Sequence, residues 1–125
     1  MKTPKRRILV VDDSVHILTT LKQLLKREVE TIEGTKKPEL LMEKLSRDSF
    51  NLVLLDMNFK AGINTGNEGI YWLKEIKRKH PDLPVLMITA YGNIDLAVRC
   101  MKEGAEDFIT KPWEANDLIE KSDPY

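Results

Sequence analysis

Cysteine is nearly absent: Cys100 is the chain's one thiol. A disulfide framework or a cysteine-built zinc site within the chain is therefore excluded, and this usage fits a reducing cytoplasm. Charge of one sign is not in excess either, because 20 Lys and Arg stand against 20 Asp and Glu. Without a cationic surplus, direct binding to nucleic acid or to an anionic membrane lacks its electrostatic drive. No apolar run approaches the roughly 20 residues of a membrane span. The start, Met1-Lys2-Thr3-Pro4-Lys5-Arg6-Arg7, is basic, but the apolar stretch after it is too short for a signal peptide. Internal repeats and low-complexity segments are missing as well. What remains is 125 residues, 42% hydrophobic and 32% charged, the composition of one soluble globular domain over 1–125.

Apolar runs alternate with helical periods along the chain. Ile8-Leu9-Val10-Val11 reads as a strand buried on both faces. Ser14 caps a helix whose stripe is Ile17, Leu18, Leu21, Leu24 and Leu25. A weaker strand over 29–33 ends at Gly34, and Pro38 opens a helix carrying Leu41, Met42 and Leu45. Leu52-Val53-Leu54-Leu55 is a second buried run. After a loop over 57–67 comes a helix over 68–79 with Ile70, Leu73 and Ile76 inward. A strand over 84–88 follows. Asn93 then caps a helix that turns Ile94, Ala97, Val98 and Met101 inward and closes at Gly104. A short strand over 108–110 leads to a brief last helix near Glu114 with Leu118 and Ile119. Strands separated by helices of this length cannot form tight hairpins. The expectation is an α/β fold, a doubly wound parallel sheet with helices on both faces.

In such sheets ligands bind beyond the carboxyl ends of the strands. Here those ends carry Asp12-Asp13, Asp56, Thr89-Ala90 and Lys111-Pro112. Singly, each has an ordinary role: turn residue, helix cap or solvated cation. Together they gather three carboxylates, a hydroxyl and an ammonium at one edge. Two carboxylates about 4 Å apart repel by roughly 4 kcal/mol at an effective dielectric near 20. A fold that clusters three of them needs a cation; Lys111 is one, and Mg²⁺, a hard ion bound by oxygen, suits the remainder.

The ordered set in ILVVDDS, LVLLDMN, VLMITAYG and DFITKPW resembles the receiver domains of two-component response regulators. The resemblance covers essentially the whole chain. It implies a flavodoxin-like (CheY-like) three-layer sandwich of five strands in the order 2-1-3-4-5. It also implies that Asp56 is the phosphoacceptor for a sensor histidine kinase. Mg²⁺ would be held by Asp12, Asp13, Asp56 and the carbonyl of Asn58. Thr89 and Lys111 would contact phosphoryl oxygens, and the Lys111–Pro112 bond is cis in the family. Thr89 and Phe108 would form the switch, with Phe where the family often has Tyr. Asn58 and Tyr91 would tune hydrolysis. The domain would catalyse no reaction beyond its own phosphorylation and dephosphorylation.

The loop over 57–67 departs from the family: it lacks the usual proline and is longer, and it is expected to cover Asp56 in part. With the TAYG segment, the long loop is similar to receivers of NtrC-like transcription regulators. The implied parent is longer, with an output domain for transcription, and the last helix reads as truncated. A homodimer through the fourth helix, fifth strand and fifth helix is the family's common assembly. One alternative stays open: a receiver used only as a protein-binding module. Flavin binding is disfavoured because Asp12-Asp13 would repel a phosphate there. A dehalogenase-type phosphatase is disfavoured because Ser14 stands where its second acid belongs. His16, His80, Cys100, Trp72 and Trp113 read as structural, and Lys74, Lys77, Arg78 and Lys79 as a solvated helix end.

Overall fold

The structure, a computed structural model, describes residues 6–12, 15–25, 29–35, 38–56, 67–90 and 94–111. The expectations for Asp13, Ser14, Asn58 and the rest of 57–66, Tyr91, Asn93, Pro112, Trp113 and the helix near Glu114 lie outside these residues. So do the side chains of His16, Ile17, Leu24, Leu25 and Lys111.

The elements are β1 (Arg6–Val11), α1 (Val15–Leu25), β2 (Val29–Thr35), α2 (Pro38–Arg47), β3 (Leu52–Asp56), α3 (Asn67–Lys79), β4 (Val85–Ala90), α4 (Ile94–Lys102) and β5 (Asp107–Lys111). All pairings are parallel, in the order β2-β1-β3-β4-β5, which is the order the resemblance implies. Period-two alternation sends the strands' side chains to two cores. Leu9, Val11, Val53, Leu55, Val85 and Met87 pack with Leu41 and Leu45 of α2, Leu73 and Ile76 of α3 and Cys100 of α4. On the other face, Ile8, Val10, Leu52, Leu54, Leu86, Ile88 and Ile109 pack with Leu21 of α1. Burial on both faces is why these strands read as unbroken apolar runs.

Three expectations need correction. First, β2 does not stop at Gly34. Its ladder continues with Val10 opposite Gly34 and Val11 opposite Thr35. Gly34 is there for close approach: a Cβ on it would overlap the isobutyl group of Leu18, whose Cγ lies at 3.0 Å.

Second, α4 does not bury Val98 and Met101, which are 43% and 41% exposed. Its buried stripe is Ala97 and Cys100, with Leu96 partly covered. A short helix lying on one sheet face buries a narrow stripe, and small side chains let α4 sit close. The expected stop is present. Gly104 has φ of 113°, its N–H donates to Met101 O at 3.2 Å, and Ala105 N–H donates to Cys100 O at 3.1 Å. This pair of bonds is a Schellman motif.

Third, the basic end of α3 is not all solvated. Lys77 Nζ donates to Leu83 O at 2.8 Å and to Glu106 Oε1 at 3.0 Å, and its side chain is only 16% exposed. Lys74 lies 3.5 Å from Glu103. Arg78 bonds the half-buried Glu75 at 3.1 Å and holds that carboxyl below its usual range. His80 closes α3 as expected, its N–H donating to Ile76 O at 2.7 Å. No helix among the described residues is long and apolar enough to cross a membrane.

Candidate functional site

Among the described residues the buried polar side chains are Asp12, Thr35, Asp56 and Thr89. All four stand at the carboxyl ends of neighbouring strands: Thr35 ends β2, Asp12 follows β1, Asp56 ends β3, and Thr89 is next to last in β4. The ladders align them. Val11 pairs with Thr35 on one side and Leu55 on the other, so Asp12 and Asp56 are each one residue past a paired position. Asp12 N–H donates to Thr35 O at 3.1 Å, which extends the β1–β2 ladder by one bond. Asp56 pairs with Ile88, and Thr89 is the next residue up. Thr89 pairs with Thr110 and Ala90 with Lys111, which brings the Lys111 backbone to the same edge.

Apolar sequence runs up to Asp12, Asp56 and Thr89 and stops there. β3 is buried along its whole length, Asp56 included. The fold therefore carries Asp12 and Asp56, each 4% exposed, onto adjacent strands. Strand spacing is about 4.8 Å, so the two residues stand on neighbouring backbones in a poorly solvated place. Thr89 is fully buried beside them. The donors are all oxygen, the set that hard divalent cations take. Among the described residues no three of His, Cys, Asp and Glu form a metal-holding group. Phe108, half-buried, pairs with Met87 and packs on the same core. Met87 and Thr89 share a strand parity, so Phe108 lies on the face below Thr89.

The structure thus brings together Asp12, Asp56, Thr89 and the backbone of Lys111. Asp13, Asn58 and Tyr91 fall outside the described residues. Thr35 belongs to the same row, and sequence reasoning missed it. Reading Gly34 as a terminator hid it; matching the lengths of two parallel neighbours would have found it. A cavity of about 490 Å³ opens at the opposite, amino-terminal end of the sheet, lined in part by Phe50, His80 and Leu83, and holds none of these residues.

Comparison with known proteins agrees with this geometry. Residues 8–123 match the response regulator receiver domain family. The response regulator protein PilR of Pseudomonas aeruginosa is 35% identical over 93% of this chain and 25% of its own length. The nitrogen assimilation regulatory protein NtrX of Azorhizobium caulinodans is 34% identical over 90% of this chain and 24% of its own. The chain thus spans about a quarter of the length of these curated relatives. Among solved structures, the N-terminal signal receiver domain of a Bacteroides fragilis two-component response regulator is 45% identical, with a TM-score of 0.84 and coverage of 94% and 93% of the two chains. The receiver domain of NtrX from Brucella abortus is 36% identical, with a TM-score of 0.80 and coverage of 94% and 95%. The chain belongs to the receiver domains of two-component response regulators, and its relatives make it NtrC-like.

Proposed function

We propose that Asp56 accepts a phosphoryl group from the phosphohistidine of a sensor histidine kinase, in a Mg²⁺-dependent reaction, and that the acyl phosphate switches the domain to control an output domain, in keeping with transcription-regulator relatives. The observation that supports this most is the row of four residues, the buried polar ones among those described, at the carboxyl ends of four adjacent strands. A carboxylate buried at that edge has no packing purpose of its own.

In the transfer, an Asp56 carboxylate oxygen forms the O–P bond as the P–N bond breaks. The imidazole leaves with the electron pair and is protonated from solvent. Negative charge spreads over the phosphoryl oxygens and calls for donors already in place. The Thr89 hydroxyl donates to one oxygen and the Lys111 ammonium pairs with another. The donor set fits Mg²⁺, because two nearly buried carboxylates on adjacent strands would repel by roughly 3 kcal/mol at one strand spacing and an effective dielectric near 20, and a dication offsets that. Asp12, Asp13, Asp56 and the Asn58 carbonyl would hold it; when bound, it offsets charge on the nucleophile and the phosphoryl oxygens.

The acyl phosphate adds about −1.5 to −2 charges. Thr89 is drawn toward it, and Phe108, on the same face, moves into the space behind. Asn58 and Tyr91 set the rate at which water hydrolyses the product, and the loop over 57–67 limits access to Asp56. The domain turns over no substrate other than its own phosphoryl group. It acts as the receiver of a longer cytoplasmic regulator, which can pair through α4, β5 and the segment after it. DNA binding belongs to other parts of such a regulator.

Acetyl phosphate and Mg²⁺ should add one phosphoryl mass to the chain. Chelator or Asp56→Asn should abolish it. Labelling that survives both removes Asp56 from the role.

A further inference from the structure

We propose that Glu106 and Lys77 are positioning residues for the phosphoryl site, acting by fixing the β4–β5 register; the functional part of this inference rests on the role proposed above for Asp56, Thr89 and Lys111. Parallel strands are joined by a crossover, so no tight turn sets their register. Something else must decide that Ala90 meets Lys111. A one-residue slip would move Lys111 by about 3.3 Å along the edge and turn its side chain to the other face.

Glu106 lies just before β5 and grips the first residue of β4 twice. Its N–H donates to Val85 O at 2.9 Å, and its Oε2 accepts from Val85 N–H at 2.6 Å. The second bond stands in for a ladder carbonyl that β5 does not yet supply. The carboxylate's other oxygen, Oε1, accepts from Lys77 Nζ at 3.0 Å. Lys77 also donates to Leu83 O at 2.8 Å, so α3, the segment before β4 and the segment before β5 meet on one ammonium and one carboxylate. The pair is sheltered, with side chains 16% and 28% exposed. Gly104 lies against the same lysine: a Cβ there would sit 3.2 Å from Lys77 Cγ, close enough that the stem would have to give by a few tenths of an ångström. Two strands are thus pinned at their lower ends, and the active edge at their upper ends inherits the register.

The test uses the full chain with Glu106→Ala, Glu106→Gln, Lys77→Met and Lys77→Arg. Leu45→Ala, in α2, serves as a control for lost stability. All are compared at temperatures giving equal folded fractions. Expected is at least about tenfold slower labelling by acetyl phosphate for Glu106→Ala and Lys77→Met, with Lys77→Arg and Leu45→Ala within about twofold of wild type. Glu106→Gln, which keeps an acceptor for Val85 but not the ion pair, should fall between and covers the case in which Glu106→Ala does not fold. In the unlabelled protein, the amide resonances of Thr89 and Lys111 should move in Glu106→Ala, or in Glu106→Gln in its place, and stay in Leu45→Ala. Glu106 variants that label at the wild-type rate, or that leave those resonances in place, would overturn the proposal. A wild-type chain that takes no label refutes the role of Asp56 instead, and the resonances alone then judge the register.

Discussion

Asp12 directly follows β1 and Asp56 ends its parallel neighbour β3, each 4% exposed, with Val11 and Leu55 directly paired one residue below them. One strand spacing, about 4.8 Å, therefore separates the backbones that carry two poorly solvated carboxylates. Their repulsion is roughly 3 kcal/mol at an effective dielectric near 20. Without metal, Asp12→Asn should raise stability by about 1–3 kcal/mol, read as a melting temperature several degrees higher in chelator. Adding Mg²⁺ should raise the wild-type melting temperature and do little for the variant, since a ligand that binds only the folded state stabilises it by mass action. An Asp12→Asn chain that melts lower in chelator, or gains as much from Mg²⁺ as wild type, contradicts this account.

Gly104 offers a test of backbone strain. Its φ of 113° is one that side-chain-bearing residues rarely adopt, and Lys77 lies over it. Gly104→Ala should lose about 1–2 kcal/mol in urea denaturation with an unchanged m-value. Gly34 is the contrast. Its φ is ordinary, and the group in the way is the far end of Leu18. Gly34→Ala should cost less, about 0.5–1.5 kcal/mol, the cost of moving one side chain off its rotamer. Equal losses at the two sites would count against this distinction.

The exposed face of α4 can be tested by polarity. Val98→Ser and Met101→Gln should stay within about 0.5 kcal/mol of wild type in thermal melts. Ala97→Asp should lose several kcal/mol, of order 3 or more, by placing a charge in the core. A large loss at Val98 would restore the stripe that periodicity alone suggests.

These corrections mark where sequence was legible. β1, β3 and β4 were readable because burial on both faces leaves an unbroken apolar run, and Asp12, Asp56 and Thr89 were readable as the points where each run stops. The side of α4 that faces the sheet was not, because Ala97, Val98, Cys100 and Met101 are all apolar and only packing chooses among them. The role of Gly34 depends on Leu18 of another element, and the burial of Lys77 depends on Glu106, which is 29 positions away. No local pattern carries either. Thr35 followed from the same gap, since its strand was cut short at the glycine.

Cys100 links packing to pH. Its side chain is fully buried between α4 and the sheet, and burial pushes its thiol from an ordinary 9.0 up to about 11. The charged form is therefore disfavoured in the folded state. Below pH 9 both folded and unfolded chains hold the proton, and the thiol leaves stability unchanged. Between pH 9 and about 11 the unfolded chain loses the proton while the folded one keeps it, so unfolding gains and stability falls as pH rises. The loss at completion is about 2–3 kcal/mol. Denaturation at stepped pH should show this slope in wild type and lose it in Cys100→Ala, which removes the thiol and leaves every Lys and Tyr to titrate as before. A thiol reagent at pH 8 should react with native protein far more slowly than with unfolded protein, limited by opening of α4. Fast reaction of the folded chain, or identical slopes in the two proteins, would mean that the thiol is not held in the core.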